Sequence, residues 1–271
     1  MTSGKQRKRL DEALVARDFF DDPAVARGWI MAGKVLVDGA VCSKPGTRVK
    51  EDAEINVRGV VQKYVSRGGY KLEAALDRFQ IAVEGKTVLD AGASTGGFSD
   101  CLLQRGAARV YAVDVGFGQL RGKIAVNPRV VNLERTNIGD LTIDRFSVPI
   151  DLCVFDLSYL SCIEAAPLLA RLFRGPVEMV GLIKPLFEGL PQDRIDDPEA
   201  LHSALGRVLT ELPRRGLQVD RLTLSPILGN RGTVEFLAHL REGTRQPPDP
   251  ALCDQVITEL RENPPRPVAA G

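Results

Sequence analysis

Short apolar runs alternate with amphipathic stretches over most of the chain, and the alternation begins at Thr87. Residues 87–90, 109–114, 130–133, 151–156 and 177–183 each read as a buried strand rich in Val, Leu and Ile. Helical periodicity fills most of the gaps, including a long stretch at about 198–214. Strands separated by helices predict a mostly parallel, doubly wound sheet. Two further strands follow at 217–224 and 233–240. Only residues 225–232 lie between them, too few for a crossover, so an antiparallel pair is expected there. The remainder, from Glu242, is proline-rich and reads as irregular except for a helix around 253–262.

The first 59 residues follow a different pattern. Residues 9–17 read as an amphipathic helix with Leu10, Ala13 and Leu14 on one face. Asp22 and Pro23 open a second helix, as cap and first-turn residue, and Gly33 stops it. A strand at 34–37 runs into an Asp38-Gly39 turn, Lys44-Pro45-Gly46 forms another turn, and 54–57 is a last strand. The expected division is a small α+β head at 1–59, a linker at 60–65, the α/β body at 66–245 and a tail at 246–271.

Composition narrows the class. The chain has 271 residues, 44% hydrophobic and 26% charged, the mix of a soluble globular protein with a real core. No apolar run approaches the ~20 residues that span a bilayer, and the basic N-terminus has no apolar stretch of the secretory kind. Five cysteines without a CxxC pair argue against a disulfide framework or a zinc site. A cytoplasmic protein without membrane or metal partners is expected. The net charge of +1 hides an asymmetry: residues 1–71 carry 14 Lys+Arg against 9 Asp+Glu, and the rest carries 22 against 26. A basic head on an acidic body suggests a polyanion-binding module.

The candidate chemistry gathers at the ends of the predicted strands. Asp90-Ala-Gly92-Ala-Ser94-Thr95-Gly96-Gly97-Phe98 follows the first of them and opens a helix, a loop that lets backbone approach a ligand closely. A dinucleotide fingerprint needs glycine at 92, 94 and 97, and position 94 is Ser. Asp90 suits a cationic amino-acid moiety better than a pyrophosphate. Asp114, 24 residues on, ends the second strand where an acid can bond both ribose hydroxyls of a nucleoside. Asp156 and Lys184 end the fourth and fifth strands, Lys71 opens the helix before the first strand, and Glu235 opens the last strand. Ligands of open α/β sheets bind at carboxyl ends of strands, so Asp156 and Lys184 are expected at the site edge. Taken singly, Lys71–Glu235 and Asp156–Lys184 could be structural ion pairs.

Two resemblances sharpen this picture. Residues 8–49, from KRLDEAL to AGKVLVDGAVCSKPGTRV, resemble the small RNA-binding domain first known from ribosomal small-subunit protein four. That resemblance implies RNA contacts from a basic face, with Arg9, Arg17, Lys34 and Lys44 as candidates. The segments SRGGYKL, VLDAGASTGGFSDCLLQRGA, YAVDVGFGQL, LERTN, FDLSYLS, LIKPLFE and VEFL resemble the TlyA family of ribosomal RNA 2′-O-methyltransferases, also labelled haemolysins and related to FtsJ. The resemblance implies a doubly wound seven-stranded Rossmann-like methyltransferase sheet behind the RNA-binding head. It implies S-adenosyl-L-methionine as cofactor and ribosomal RNA or ribosomal subunits as partner. It also implies a catalytic tetrad of Lys71, Asp156, Lys184 and Glu235, with cofactor contacts from 90–98, Asp114 and near Asn137. One departure stands out: residues 189–197 read GLPQDRIDD where the family carries a longer glycine-rich loop on the substrate side. The competing expectations are the same fold acting on another RNA or nucleoside, and a non-catalytic RNA-binding or haemolysin-like protein.

Overall fold

The computed structural model describes residues 7–17, 19–20, 22–50, 53–59, 63–229, 232–243 and 249–265. The chain divides into two compact units, with the break between Arg67 and Gly68. Residues 60–62 of the expected linker, and 246–248 and 266–271 of the expected tail, lie outside the described residues.

The head contains β1 (Lys8–Arg9), α1 (Leu10–Ala16), α2 (Pro23–Met31), β2 (Val35–Val37), β3 (Ala40–Val41), β4 (Arg48–Val49) and β5 (Ile55–Val57). Strand β2 is central to a three-stranded antiparallel sheet with β3 and β5, and β1 pairs with β4. The Asp22 carboxylate caps α2 by accepting from Ala24 N–H at 2.7 Å. Leu10, Leu14, Ala26, Ile30 and Val35 are fully buried in one core. Each large apolar side chain among them contributes about 1.5–3 kcal/mol by leaving water.

The body contains α3 (Gly68–Phe79), β6 (Thr87–Ala91), α4 (Gly97–Gln104), β7 (Arg109–Val113), α5 (Gly122–Ala125), β8 (Val130–Leu133), β9 (Leu152–Phe155), α6 (Cys162–Ala170), β10 (Glu178–Ile183), α7 (Pro198–Glu211), β11 (Leu217–Leu224), β12 (Phe236–Glu242) and α8 (Ala251–Glu262). Its seven strands run in the order β11-β12-β10-β9-β6-β7-β8. Strand β6 is buried at all five positions, as a central parallel strand covered on both faces must be. The last strand, β12, is antiparallel to both neighbours and lies between β11 and β10. Helix α7 ends at Glu211, before Pro213, which cannot extend it. Helix α8 is no detached tail, because its Cys253, Val256 and Ile257 are buried in the same core as the sheet.

The chain leaves β6 outward through β7 and β8, then returns to lay β9 against the other side of β6. The order of strands therefore reverses at the β6/β9 boundary. Loops leaving the carboxyl ends of these two strands must part there, which opens a crevice.

Candidate active site

A cavity of about 260 Å³ occupies this crevice, lined in part by Gly92, Ser94, Asp114, Asp156, Ser158 and Tyr159. Backbone geometry builds its floor. Gly92 has φ +87°, and a Cβ there would come within 2.3 Å of the Asp156 carbonyl oxygen. Only glycine fits. Its N–H and that of Ala93 both donate to the Val113 carbonyl, at 2.8 and 3.0 Å. Ser94, at the position that broke the dinucleotide pattern, is left-handed all the same, with φ +47°. Its N–H donates to Asp114 Oδ2 at 2.8 Å, which offsets the strain of a non-glycine residue there. Asp114 Oδ1 accepts from Gly116 N–H at 2.7 Å, so the carboxylate is aimed from both sides. Gly96, φ +94°, packs under Leu120 and Ile124, and Thr95 accepts from Arg121 N–H through its carbonyl at 3.1 Å. Gly97 and Phe98 are buried at the start of α4 and do not line the cavity.

Asp90 is fully buried on β6. Its Oδ2 accepts from Ser99 Oγ at 2.6 Å, while Oδ1 has no hydrogen-bond partner. Burial is the main cause that pushes this carboxyl up to about 7, and the carboxylates of Asp156 and Asp114 add to it. A buried carboxylate oxygen with open capacity favours a cationic neighbour.

The four polar residues expected at strand ends form two ion pairs. Lys184 Nζ lies 2.5 Å from Asp156 Oδ1 and donates to the Leu157 carbonyl at 3.0 Å. Lys71 Nζ lies 2.5 Å from Glu235 Oε2, and both residues are buried. The ladders put the pairs at one end of the sheet. Phe236 faces Ile183 in the β12/β10 pairing, so Glu235 and Lys184 are the next residues outward. Phe155 faces Ala91 in the β9/β6 pairing, so Asp156 and Gly92 are next outward there. Glu235, Lys184, Asp156 and Gly92 thus stand just beyond the same end of four adjacent strands, with Lys184 two residues further out than Asp156, because Gly181 faces Phe155 in the β10/β9 pairing. Gly229 is pressed on the Glu235 carboxylate, where a Cβ would sit 2.1 Å from Oε1.

The remaining candidates are placed as follows. Asn137 is exposed, and its Oδ1 accepts from Gly139 N–H at 2.8 Å; its neighbours Thr136 and Ile138 line the cavity instead. In the head, Arg9 belongs to β1 and Arg17 directly follows α1. The Arg9 guanidinium bonds both oxygens of Asp11, at 3.0 and 2.9 Å, and holds that carboxyl below its ordinary range. Arg17 is buried, with Nη1 donating to Ala53 O at 2.5 Å and Nη2 to Lys50 O at 3.1 Å. Those bonds engage its guanidinium inside the head. Lys34 and Lys44 are exposed, as are Lys8, Arg27, Arg48 and Lys50.

Tyr159, Gln119 and Thr136 line the cavity without a sequence signal that singled them out, although Tyr159 follows Asp156 by only three residues. The two histidines have long-range acidic partners: His202 Nε2 lies 3.0 Å from Asp254, and buried His239 lies 3.3 Å from Glu178. Among the described residues, no cluster of His, Cys, Asp and Glu could hold a metal ion, and no helix is long and apolar enough to cross a membrane.

Sheet order, glycine loop and cavity at the switch point define a doubly wound α/β protein of the methyltransferase type. Residues 64–242 match the FtsJ-like methyltransferase model, and residues 8–55 match the S4 domain. The chain belongs to the FtsJ-like methyltransferase family, with an S4 domain ahead of the catalytic fold. It is 39% identical over 246 residues, 88% of this chain and 91% of the relative, to a Mycobacterium tuberculosis protein named 16S/23S rRNA (cytidine-2′-O)-methyltransferase TlyA. It is 37% identical to Hemolysin A of Brachyspira hyodysenteriae over 85% of this chain and 98% of the relative. A solved structure from Streptococcus thermophilus, described as a hemolysin, superposes with a TM-score of 0.80 at 33% identity, covering 96% of this chain and 99% of that one.

Proposed function

We propose that this protein transfers a methyl group from S-adenosyl-L-methionine to a ribose 2′-hydroxyl of ribosomal RNA. The observation that carries the reading is the Asp156–Lys184 pair, 2.5 Å apart, with Asp156 also lining the cavity of the glycine loop. The cytidine-2′-O activity in the name of the M. tuberculosis relative supports the ribose hydroxyl as acceptor.

The residues present fit the cofactor. Asp114 keeps lone pairs for ribose hydroxyls, Gly92 leaves room for a ligand against backbone, and the open oxygen of Asp90 suits a cation. Bound S-adenosyl-L-methionine supplies an electrophilic methyl on a sulfonium that leaves without needing a proton. The protein then has to position the hydroxyl and take its proton. Lys184 is placed for both. As a neutral amine it has two N–H bonds, and two acceptors stand ready for them: Asp156 Oδ1 and the Leu157 carbonyl. Its lone pair is then left for the 2′-hydroxyl proton. Bound cofactor would supply the methyl to that oxygen, its sulfur keeping the electron pair of the broken carbon–sulfur bond. Asp156 orients the amine, and Glu235, just before the neighbouring strand β12, pairs with Lys71. The exposed cations of the head would bind RNA phosphates, which position a substrate without reading its sequence. Dependence on a 2′-hydroxyl makes RNA the substrate, since DNA lacks it.

The test is incubation of purified protein and tritiated-methyl S-adenosyl-L-methionine with small subunits, large subunits, naked ribosomal RNA and free nucleosides. Alkali-resistant label on ribosomal RNA is expected. Label on bases, label on free nucleosides alone, or cofactor binding without transfer to any RNA would overturn the reading.

A further inference from the structure

Glu188 is 1% exposed, yet it stands in the loop that leaves β10 four residues after Lys184. Its Oε1 accepts the N–H of Cys162, the first residue of α6, at 2.5 Å, with Ile163 N–H also in reach. Helix α6 does not need this acceptor for its own sake. Ser161 already caps it, in a reciprocal box with Glu164: Ser161 Oγ accepts from Glu164 N–H at 3.1 Å, and Glu164 accepts from Ser161 N–H at 3.2 Å. A buried carboxyl is a costly way to add a second cap.

What Glu188 does is join two loops. One leaves β9 as Asp156 and Leu157 and runs to Ser161 and Cys162; the other leaves β10 as Lys184 and runs to Glu188. They meet first at Lys184, through Asp156 and the Leu157 carbonyl, and again at Glu188 through Cys162. The Lys184 loop is otherwise wound on itself: Phe187 N–H donates to Lys184 O at 2.8 Å, and Glu188 and Leu190 N–H both donate to Pro185 O at 3.0 Å. From α7, Arg207 Nη1 donates to Glu188 O at 2.8 Å and presses on Gly189, which has φ +89°. The carboxylate end of Glu188 thus adds a tie to the β9 loop to the hold of Arg207 on its backbone, and both oppose rotation of this turn about Pro185.

We infer that Glu188 is a positioning residue for the methyl transfer, bracing the loop of Lys184 against the loop of Asp156 so that the amine is held toward the acceptor hydroxyl. The inference rests on the methyl-transfer reading above. A brace of this kind acts on turnover more than on binding, because a misplacement of about 1 Å at the reacting group can cost about 100-fold in rate.

The experiment compares kcat, KM for RNA, cofactor Kd and Tm in the full chain for wild type, Glu188→Leu, Glu188→Asp, Glu188→Gln and Ser161→Ala. Leu removes the acceptor, Asp keeps the charge but shortens the reach, and Gln keeps an oxygen for the Cys162 N–H. The expected result is a kcat loss of about tenfold or more in the Leu and Asp variants, with KM and Kd within about threefold. Gln restores kcat to within about threefold of wild type, and Ser161→Ala lowers Tm alone. If the Leu variant fails to fold, Asp against Gln decides alone. Full kcat in the Asp variant, an equal loss in Gln and Asp, or a kcat that merely follows Tm through Ser161→Ala overturns the inference. Absence of transfer by wild type would instead count against the proposed function itself.

Discussion

The Cα of Gly92 lies against the carbonyl of Asp156, so close that a Cβ on Gly92 would stand 2.3 Å from that oxygen. The glycine loop and the residue paired with Lys184 are therefore in one piece of packing. Neither can move without the other. Gly92→Ala forces the β6 and β9 loops apart and also strains a backbone at φ +87°, at about 1–2 kcal/mol for the strain alone. The expected outcome is a loss of both cofactor affinity and turnover, read by calorimetry and by the tritium assay. Normal cofactor binding in that variant would show that the two loops are not coupled.

Lys184→Ala separates chemistry from binding. Lys184 is not among the residues lining the cavity of the glycine loop, so cofactor affinity should stay within a few-fold of wild type. Turnover should fall by about 100-fold or more, at least the lower end of what a positioned general base contributes. Single-turnover rates equal to wild type would refute Lys184 as the base.

Lys71 and Glu235 form the more buried of the two pairs, with side chains 10% and 4% exposed. Removing one partner strands the other charge. Lys71→Met should therefore destabilise the body by about 3–5 kcal/mol, whereas the double variant Lys71→Met/Glu235→Leu should recover much of that loss. Denaturant melts of the single and double variants give the coupling directly.

Asp90 gives a pH signature. Its carboxyl is raised to about 7 by burial, against about 3.9 for an unfolded chain. The folded state therefore holds a proton between pH 4 and 7 that the unfolded state has released, and stability from this group falls as pH rises through that window. Asp90→Asn should flatten this slope. A bound cation near Oδ1 favours the ionised carboxylate, so wild-type affinity for S-adenosyl-L-methionine should rise from pH 5 to 8. Identical pH dependence of cofactor affinity in wild type and Asp90→Asn would rule out that contact.

In the head, the basic residues separate by burial. Arg17→Ala removes two hydrogen bonds to backbone carbonyls, of which the Lys50 carbonyl keeps the Ala53 N–H as a donor, so it should lower head stability by about 1–3 kcal/mol. Lys34→Ala and Lys44→Ala should leave stability unchanged, weaken RNA binding regardless of sequence, and each reduce the salt slope by about one. Filter binding at several salt concentrations, with thermal melts alongside, distinguishes the two kinds of arginine and lysine.

Local rules carried the sequence reading a long way. Buried apolar runs placed the strands within a few residues, since a central parallel strand has no polar face to hide it. The glycines at 92 and 96 marked the loop, because their φ values of +87° and +94° disfavour any side chain. Charged residues at strand ends marked Asp156 and Lys184, because the end of a buried strand is a costly place for a charge without a purpose. The sequence by itself thus determined the kind of fold and which groups stand at its edge. What only the tertiary structure decided is who meets whom. Lys71 and Glu235 are 164 residues apart, and only the insertion of β12 between β11 and β10 brings them together. Arg17 looked like any surface cation until packing carried it to the carbonyls of Ala53 and Lys50. Glu188 carries no signal of its own in the sequence, and only the fold buries it against Cys162. Hydrogen bonds and ion pairs act over about 3 Å, and sequence separation says nothing about that distance until the chain has been folded.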